Sequence, residues 1–401
     1  MKYVGGNPYF TSGYEKVQQY KSLNQNINCD VLIVGGGVTG ALCSYFFRKN
    51  NIDTILIEDE LIGNSSTSIC TSILEYEIDI DLSKLKNFIG ENSAITCFKL
   101  CQEAVNTLSN IINELKIDCD FKTTPCFYYS NNEDDISQFK TEFKARKDVG
   151  FNVTYIDSDK AKTLFPFDVK SGILTEGAAA TFHPYKFTYS LIKKLSNSGL
   201  KVFEKTRLVN SEILDGKVIC YTSTGKKIIS KKVVICTGYA AASTIKENIA
   251  TLTRTFNIVT SPISNKDLWY KNCTIIDNGT PYTYIRTTPD NRIIIGGEDI
   301  NDLDYDLDKI DNSYNTLKGK LRTLFPNISN YTIDYKYNGI FADSKECIPY
   351  IGEHVDFPNF YFCLGYGSNG VLYSTFGAEM LANLYLGIKD PNLDIFKFTR
   401  D

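Results

Sequence analysis

The chain has 401 residues, 43% hydrophobic and 22% charged, with a formal net charge of −4. That is enough apolar material for two domain-sized cores, and the mixed, mildly acidic charge lacks the basic stripe of a nucleic-acid binder. No uninterrupted apolar run approaches the ~18 residues that span a bilayer, and the opening MKYVGGNPYFTSGYEK has no apolar core of a secretion signal.

Residues Asp30-Val31-Leu32-Ile33-Val34 read as a short buried strand, rich in β-branched side chains. Gly35, Gly37 and Gly40 follow in GxGxxG spacing, then ALCSYFFRKNN reads as a helix. A second strand, Thr54-Ile55-Leu56-Ile57, ends at Glu58, close to the ~20-residue offset of a ribose-binding acid. Strand, glycines, helix, strand and acid in this order define a dinucleotide clamp. Gly35 permits the tight turn, Gly37 lets backbone approach a pyrophosphate, and Gly40 lets helix and strand pack. Val38 and Thr39 open the helix, whose free N–H groups face the phosphates.

The next stretch, DELIGNSSTSICTSILEYEID, concentrates hydroxyls at Ser66, Thr67, Ser68 and Ser72. Such a segment can run beside a long cofactor. Residues 93–116 carry apolar helical periodicity, and TIIDNGTPYTYIRTTPDNRIIIGGED reads as strands joined by Pro-Asp-Asn turn chemistry. Alternation places Tyr282, Tyr284 and Arg286 on one face. Lys232 to Ile235 is a buried strand ending near Thr237-Gly238. FYFCLGYGSNGVLYSTFGAEMLANLYLG repeats strand, glycine-rich turn and helix, with Gly365, Gly367 and Gly370 in the turn. A helix starting near Val371 aims its positive end into that turn, which suits the reduced edge of a flavin.

Twelve cysteines are scattered from Cys29 to Cys363, none in a CxxC pair, and the histidines are His183 and His354. No metal site is expected from this set. Thiols without a secretion signal fit a reducing cytoplasm. Cys97 and Cys101, one helical turn apart, are read as packing residues. His183 is read as structural, and His354 receives no role.

In order, DVLIVGGGVTGA, STSICTSILEYE, FHPYKFTYSLIKKL, FEKTRLVNSEI, VVICTGYAA, TPDNRIIIGGED, IPYIG and GYGSNG resemble the D-amino acid oxidase superfamily of FAD-dependent oxidoreductases. Its glycine oxidase, sarcosine oxidase and γ-glutamylputrescine oxidoreductase branches are the ones resembled. The resemblance implies an α/β fold in which a Rossmann-like FAD-binding domain (1–84, 170–245 and 336–401) interleaves with an antiparallel-sheet α+β substrate domain (85–169 and 246–335). It implies non-covalent FAD contacted by Gly35, Gly37, Val38, Thr39, Gly40, Glu58, Ser66, Thr67, Ser68, Ser72 and Ile73. Leu208 would meet the adenine side, Thr237 and Gly238 the phosphate and ribose side, and Gly367, Asn369, Gly370, Val371 and Leu372 the flavin ring.

Two departures bear on substrate. Amino-acid-oxidising members hold the substrate carboxylate with an arginine whose place is taken here by Phe341, which would wall the flavin instead. Sarcosine-oxidising members hold the carboxylate with an arginine and a lysine, and by the resemblance Glu75 falls at that arginine's place and Leu372 at the lysine's. An acid at that position favours a cationic amine, the alternative being that Glu75 points away and pairs structurally. Arg286 and Tyr284 are further pocket candidates, Arg286 alternatively a structural arginine between strands. The oxygen-activating lysine falls near Ile294, which favours a dehydrogenase over an oxidase. The expected activity is therefore oxidation of a small amine's C–N bond to an imine by hydride transfer to flavin N5, with the electron acceptor left open. The alternatives are an amino-acid oxidase or dehydrogenase of the same family and an NAD-dependent Rossmann dehydrogenase.

Overall fold

The computed structural model describes residues 3–400 apart from 14–18, 244, 246–248, 265–267, 302, 304–305 and 329. The expected segment boundary at residue 246 lies outside the described residues.

Two sheets organise the chain. The eight-stranded one runs in the order Tyr350–Glu353, Phe360–Leu364, Lys227–Ile235, Ile27–Val34, Thr54–Ile57 and Lys201–Phe203, with Leu208–Leu214 and Lys217–Thr222 attached as a hairpin. From Phe360–Leu364 to Lys201–Phe203 every pairing along that path is parallel. Parallel strands covered on both faces read as continuous apolar runs, and Val31, Leu32 and Ile33 are accordingly inaccessible to solvent. The helices Val38–Lys49, Pro184–Asn197 and Gly370–Tyr385 pack together, the first against both others.

The clamp read from sequence is built as expected. Gly35 has φ +112°, and a Cβ on Gly40 would stand 1.8 Å from the Gly35 carbonyl oxygen. A side chain on Gly35 would in turn meet the Cys236 carbonyl oxygen at 2.4 Å. Strand, turn, helix and the end of Lys227–Ile235 therefore converge on backbone-to-backbone contact.

The ten-stranded sheet runs Val4–Gly6, Ile333–Asp343, Thr251–Thr260, Ile293–Ile300, Thr283–Thr287, Thr274–Asp277, Lys122–Ser130, Ser171–Thr181 and Ile73–Glu75, with Val153–Asp157 also on Ser171–Thr181. Its pairs are antiparallel except for Thr274–Asp277 on Lys122–Ser130. Alternation sorts its two faces. Phe256, Ile258, Ile293 and Ile295 face a core with Ile310, Tyr314 and Leu317 from the helix Leu307–Leu324. Thr255, Tyr284 and Phe341 face a cavity. Strands Ile73–Glu75, Ser171–Thr181 and Ile333–Asp343 come from segments assigned wholly or mostly to the cofactor side, yet hydrogen bond into this second sheet. The chain thus crosses between layers within those segments.

The helix expected at 93–116 is observed at Glu91–Glu114, and the one near Val371 begins at Gly370. Cys97 and Cys101 are buried in its packing face, as read. His183 precedes Pro184–Asn197 and its Nδ1 accepts the Lys186 backbone N–H at 3.2 Å, a capping role. Among the described residues no helix is long and apolar enough to cross a membrane.

Gly40→Ala is expected to lower stability by about 3 kcal/mol, because backbone rather than a movable side chain opposes the new methyl. Denaturant unfolding of the cofactor-free protein measures this, and an unchanged midpoint would refute the close-contact reading.

Candidate active site

A cavity of about 1520 Å³ is lined by residues of both sheets. One end is formed by the clamp: Gly35, Gly36, Gly37, Val38, Thr39 and Glu58 line it, with Leu208, Thr237 and Gly238 beside them. Both Glu58 oxygens already accept backbone N–H groups, Gly36 at 2.6 Å and Glu60 at 2.8 Å. These bonds orient the carboxylate, which keeps lone pairs for a further donor. Burial nonetheless raises its pKa. Thr67 Oγ1 accepts the Val38 N–H at 3.0 Å and so ties the hydroxyl-rich segment to the first turn of the helix.

The middle of the cavity is lined by Ser66, Thr67, Ser72 and Ile73 on one side and by Gly367, Asn369, Gly370 and Val371 on another. Ser72 Oγ is buried there without a hydrogen-bond partner. An orphaned hydroxyl on a cavity wall, the first turn of the helix Gly370–Tyr385, and the glycine cradle form a donor set that fits an elongated dinucleotide with a polar ring edge.

Four of the anticipated residues sit behind the wall instead. Gly40 lies beneath the clamp. Ser68 donates its hydroxyl to the Ser65 carbonyl at 2.7 Å, and Leu372 is packed in the helical core. The fourth, Arg286, is the clearest correction. Alternation put it on the same face as Tyr284, but that face continues over the hydroxyl-rich segment. Its Nη1 donates to the carbonyls of Thr71 (3.0 Å), Ser72 (2.9 Å) and Phe182 (3.1 Å), and its Nε to that of Thr287 (3.2 Å). Burial lowers its pKa to about 10, which leaves it charged at neutral pH. Arg286 holds the hydroxyl-rich segment in place and does not line the cavity. Asn369 does line the cavity, but its Nδ2 is held by the Glu77 carbonyl at 2.6 Å.

The far end is walled by Phe341, Tyr239, Tyr282 and Tyr284, with Phe341 edge-on to Tyr239 at 6.3 Å between ring centres. Tyr284 shares a hydrogen bond of 3.0 Å with Thr255. Carboxylates gather here: Glu75, Glu77, Asp79, Asp299 and Asp343 all line the cavity. Glu75 is buried, accepts the Cys126 thiol at 2.7 Å, and is pushed well above the ordinary carboxylate range by burial and by Glu77. Asp79 is exposed to the cavity. Its Oδ2 accepts the Ser368 N–H at 2.8 Å. Burial, then the Asp79 charge, raises Asp343 to about 8, and burial raises Asp299 to about 6. The cations lining the cavity, among the described residues, are Arg146 and Arg207. Arg146 is paired with Glu142 (2.6 Å) and Glu77 (2.9 Å), and Arg207 lies largely exposed beside Asp59.

Of this end, only Glu75, Phe341 and the Tyr282–Tyr284 face were singled out from sequence. Asp299 and Asp343 come from separate strands, so no local spacing links them to Asp79. The alternating acids of Glu75-Tyr76-Glu77-Ile78-Asp79 were the available signal, although such a pattern ordinarily marks a solvated strand face.

The fold and cavity define a dinucleotide-binding protein with a second chamber beneath an antiparallel sheet. The chain belongs to the family of FAD dependent oxidoreductases, whose model matches residues 30–384. It is 22% identical over 386 residues to the γ-glutamylputrescine oxidoreductase of Escherichia coli (strain K12), covering 94% of this chain and 88% of the relative. It is 21% identical over 377 residues to the glycine oxidase of Bacillus subtilis (strain 168), covering 91% and 95%. Among solved structures, glycine oxidase from Geobacillus kaustophilus superposes with a TM-score of 0.79 at 18% identity, covering 93% of this chain and 99% of that one. L-proline dehydrogenase from P. horikoshii gives 0.79 at 19% identity, covering 94% and 97%. The protein is thus an FAD-dependent oxidoreductase, and the NAD-dependent alternative is set aside.

Arg286→Met should cost about 3 kcal/mol of stability, since it strips charge-assisted donors from buried carbonyls, and should weaken FAD binding. Denaturant unfolding and flavin fluorescence titration report both. Full stability with lost turnover would instead place the guanidinium in catalysis.

Asp343 carries a pH signature of opposite sign to a salt-bridged acid. Its folded pKa of about 8 lies above the unfolded value of ~3.9. Its contribution to stability therefore falls as pH rises between those values. Asp343→Asn should raise the melting temperature of the ligand-free protein at pH 8 and leave it nearly unchanged at pH 4.

Proposed function

We propose that the protein is an amine-oxidising flavoenzyme with non-covalent FAD, acting as a dehydrogenase on a small cationic amine. One observation carries this reading: the substrate end of the cavity presents carboxylates and aromatic rings where a carboxylate-binding cation would be needed for an amino acid. Phe341 stands there instead of an arginine. A carboxylate substrate would meet repulsion from the ionised members of Asp79, Asp299 and Asp343, and the nearby Arg146 is already held by Glu77 and Glu142.

On this reading, Gly35, Gly37, Val38, Thr39 and Glu58 hold the adenosine and phosphates, with Leu208, Thr237 and Gly238 alongside. Ser66, Thr67, Ser72, Ile73, Gly367, Asn369, Gly370 and Val371 enclose the ring. The segments 1–84, 170–245 and 336–401 chiefly hold the cofactor, while 85–169 and 246–335 chiefly cover the substrate. The flavin, when bound, supplies the acceptor for the hydride that leaves the substrate carbon as its C–N bond becomes an imine, later hydrolysed by water. Phe341, Tyr239 and Tyr284 exclude water and orient the substrate carbon. The amine nitrogen must be neutral at that moment. Asp343 lies two residues along the strand from Phe341 and hence on the same face. Its Oδ1 has no protein partner, and in its ionised form, a fraction that grows as pH approaches 8, it takes the ammonium proton.

The dehydrogenase preference rests on Ile294. It stands near the place of an oxygen-activating lysine and is buried in an apolar cluster with Val259 and Tyr337. Non-covalent attachment is favoured by the thiol chemistry. Cys70 lines the cavity, but burial raises its pKa and so disfavours the nucleophilic thiolate. Twelve unpaired cysteines fit a cytoplasmic location.

An anaerobic absorption titration tests the function. Bleaching of the flavin bands by amines and not by α-amino acids is expected, with slow return of colour in air and faster return with an artificial acceptor. Bleaching by α-amino acids alone would overturn the substrate assignment. Acid precipitation should release all the yellow colour into the supernatant.

A further inference from the structure

The carboxylates at the substrate end are not evenly spread. They form two nests. In one, ligand oxygens of Glu75 and Glu77 and the Cys126 sulfur lie within 4.8 Å of one another; in the other, those of Asp79 and Asp343 and the Cys347 sulfur do the same. Four acids from these nests line one continuous cavity. Glu77 and Asp79 are two residues apart, so the backbone link between the nests spans at most ~7 Å.

A single amine cation reaches one nest and leaves the other without a ligand. Arg146 supplies only part of the missing charge, since it bonds Glu77 Oε1 and also Glu142. Glu77 is 7% exposed, and its second oxygen, Oε2, is buried without any hydrogen-bond partner. Its first oxygen is fully engaged by Arg146 at 2.9 Å and Thr175 at 2.6 Å. A buried carboxylate oxygen without a donor is a costly feature, and a ligand's N–H group would satisfy it.

We propose that the substrate is a linear diamine or longer polyamine, with one nitrogen at the Asp79–Asp343 nest and a second, permanently cationic nitrogen at the Glu75–Glu77 nest. This rests on the amine reading above and narrows it. The nitrogen beside Asp343 is the one that loses its proton and is oxidised. The remote nitrogen stays charged and fixes how far the chain enters. Tyr128 and Tyr282, also on the cavity wall, flank the methylene chain between them. An extended diamine of four methylenes places its nitrogens about 6 Å apart by ordinary bond lengths.

The test uses the FAD-loaded protein, reduced beforehand with dithionite so that ligands bind without turnover. Calorimetry is run with 1-aminobutane and with unbranched α,ω-diamines of two to eight methylenes. The diamine affinity should peak at an intermediate length and exceed that of 1-aminobutane by at least 30-fold at low salt. Glu77→Gln should lower the ratio of diamine to 1-aminobutane affinity at least tenfold. Because Glu77 pairs with Arg146, that variant can fail to fold. The wild-type length series then decides alone, with Glu75→Gln as the second variant. Equal affinities for monoamine and diamines, or affinity independent of length, would overturn the two-nest assignment. If monoamines still bleach the oxidised flavin in that case, the amine reading survives its narrowing. Bleaching by α-amino acids alone would sink both.

Discussion

Two buried guanidinium groups hold the segment on which the cavity depends. Arg286 gathers the carbonyls of Thr71 and Ser72, and Arg146 binds the Glu77 side chain a few residues further on. Arg146 is itself anchored by Glu142, whose two oxygens accept the N–H groups of Leu82 and Ser83 at the start of the helix Leu82–Ile89. That carboxylate therefore serves a helix terminus and an ion pair at once. Between the two arginines the chain passes from the hydroxyl-lined middle of the cavity to the acid-lined chamber. Neither guanidinium can be exchanged for lysine without loss, because each uses its planar fork on several fixed acceptors.

What was readable in the sequence follows from how local each feature is. The clamp is one contiguous stretch, and its glycines, strand and acid are set by chain geometry alone. The turn and helix after Phe360–Leu364 were readable for the same reason. Arg286 shows the limit. Its face was read correctly by alternation, but what lay against that face was decided by a loop more than two hundred residues away. Leu372 and Ser68 show a smaller limit. In a helix or tight turn, neighbouring residues point in different directions, so a motif places a segment at a site without saying which of its side chains arrive. The acid chamber lay beyond local reading because Asp79, Asp299 and Asp343 meet only after the second sheet forms.

The chamber also sets a competition between folding and binding. Carboxylates enclosed together raise one another's proton affinity, and each ionised member repels the next. An apolar lining would make the empty protein more stable. The aromatic walls sharpen the effect by displacing the water that would otherwise screen the charges. A bound cation relieves this repulsion, so occupancy and stability are linked through the same oxygens.

The central sheet has a temporal consequence. Lys227–Ile235 lies between Ile27–Val34 and Phe360–Leu364, so neighbours in space are separated by roughly a third to a half of the chain. During synthesis the nucleotide clamp emerges early, but the strand that closes over it leaves the ribosome several hundred residues later. Until then the clamp strand lacks its full set of neighbours, and its apolar face is open to wrong partners. Such high contact order makes for slow closure and a long window in which chaperones compete with aggregation. Cofactor capture is then a late event that seals an already crowded sheet, and cellular flavin supply acts on the yield of folded protein as well as on its activity.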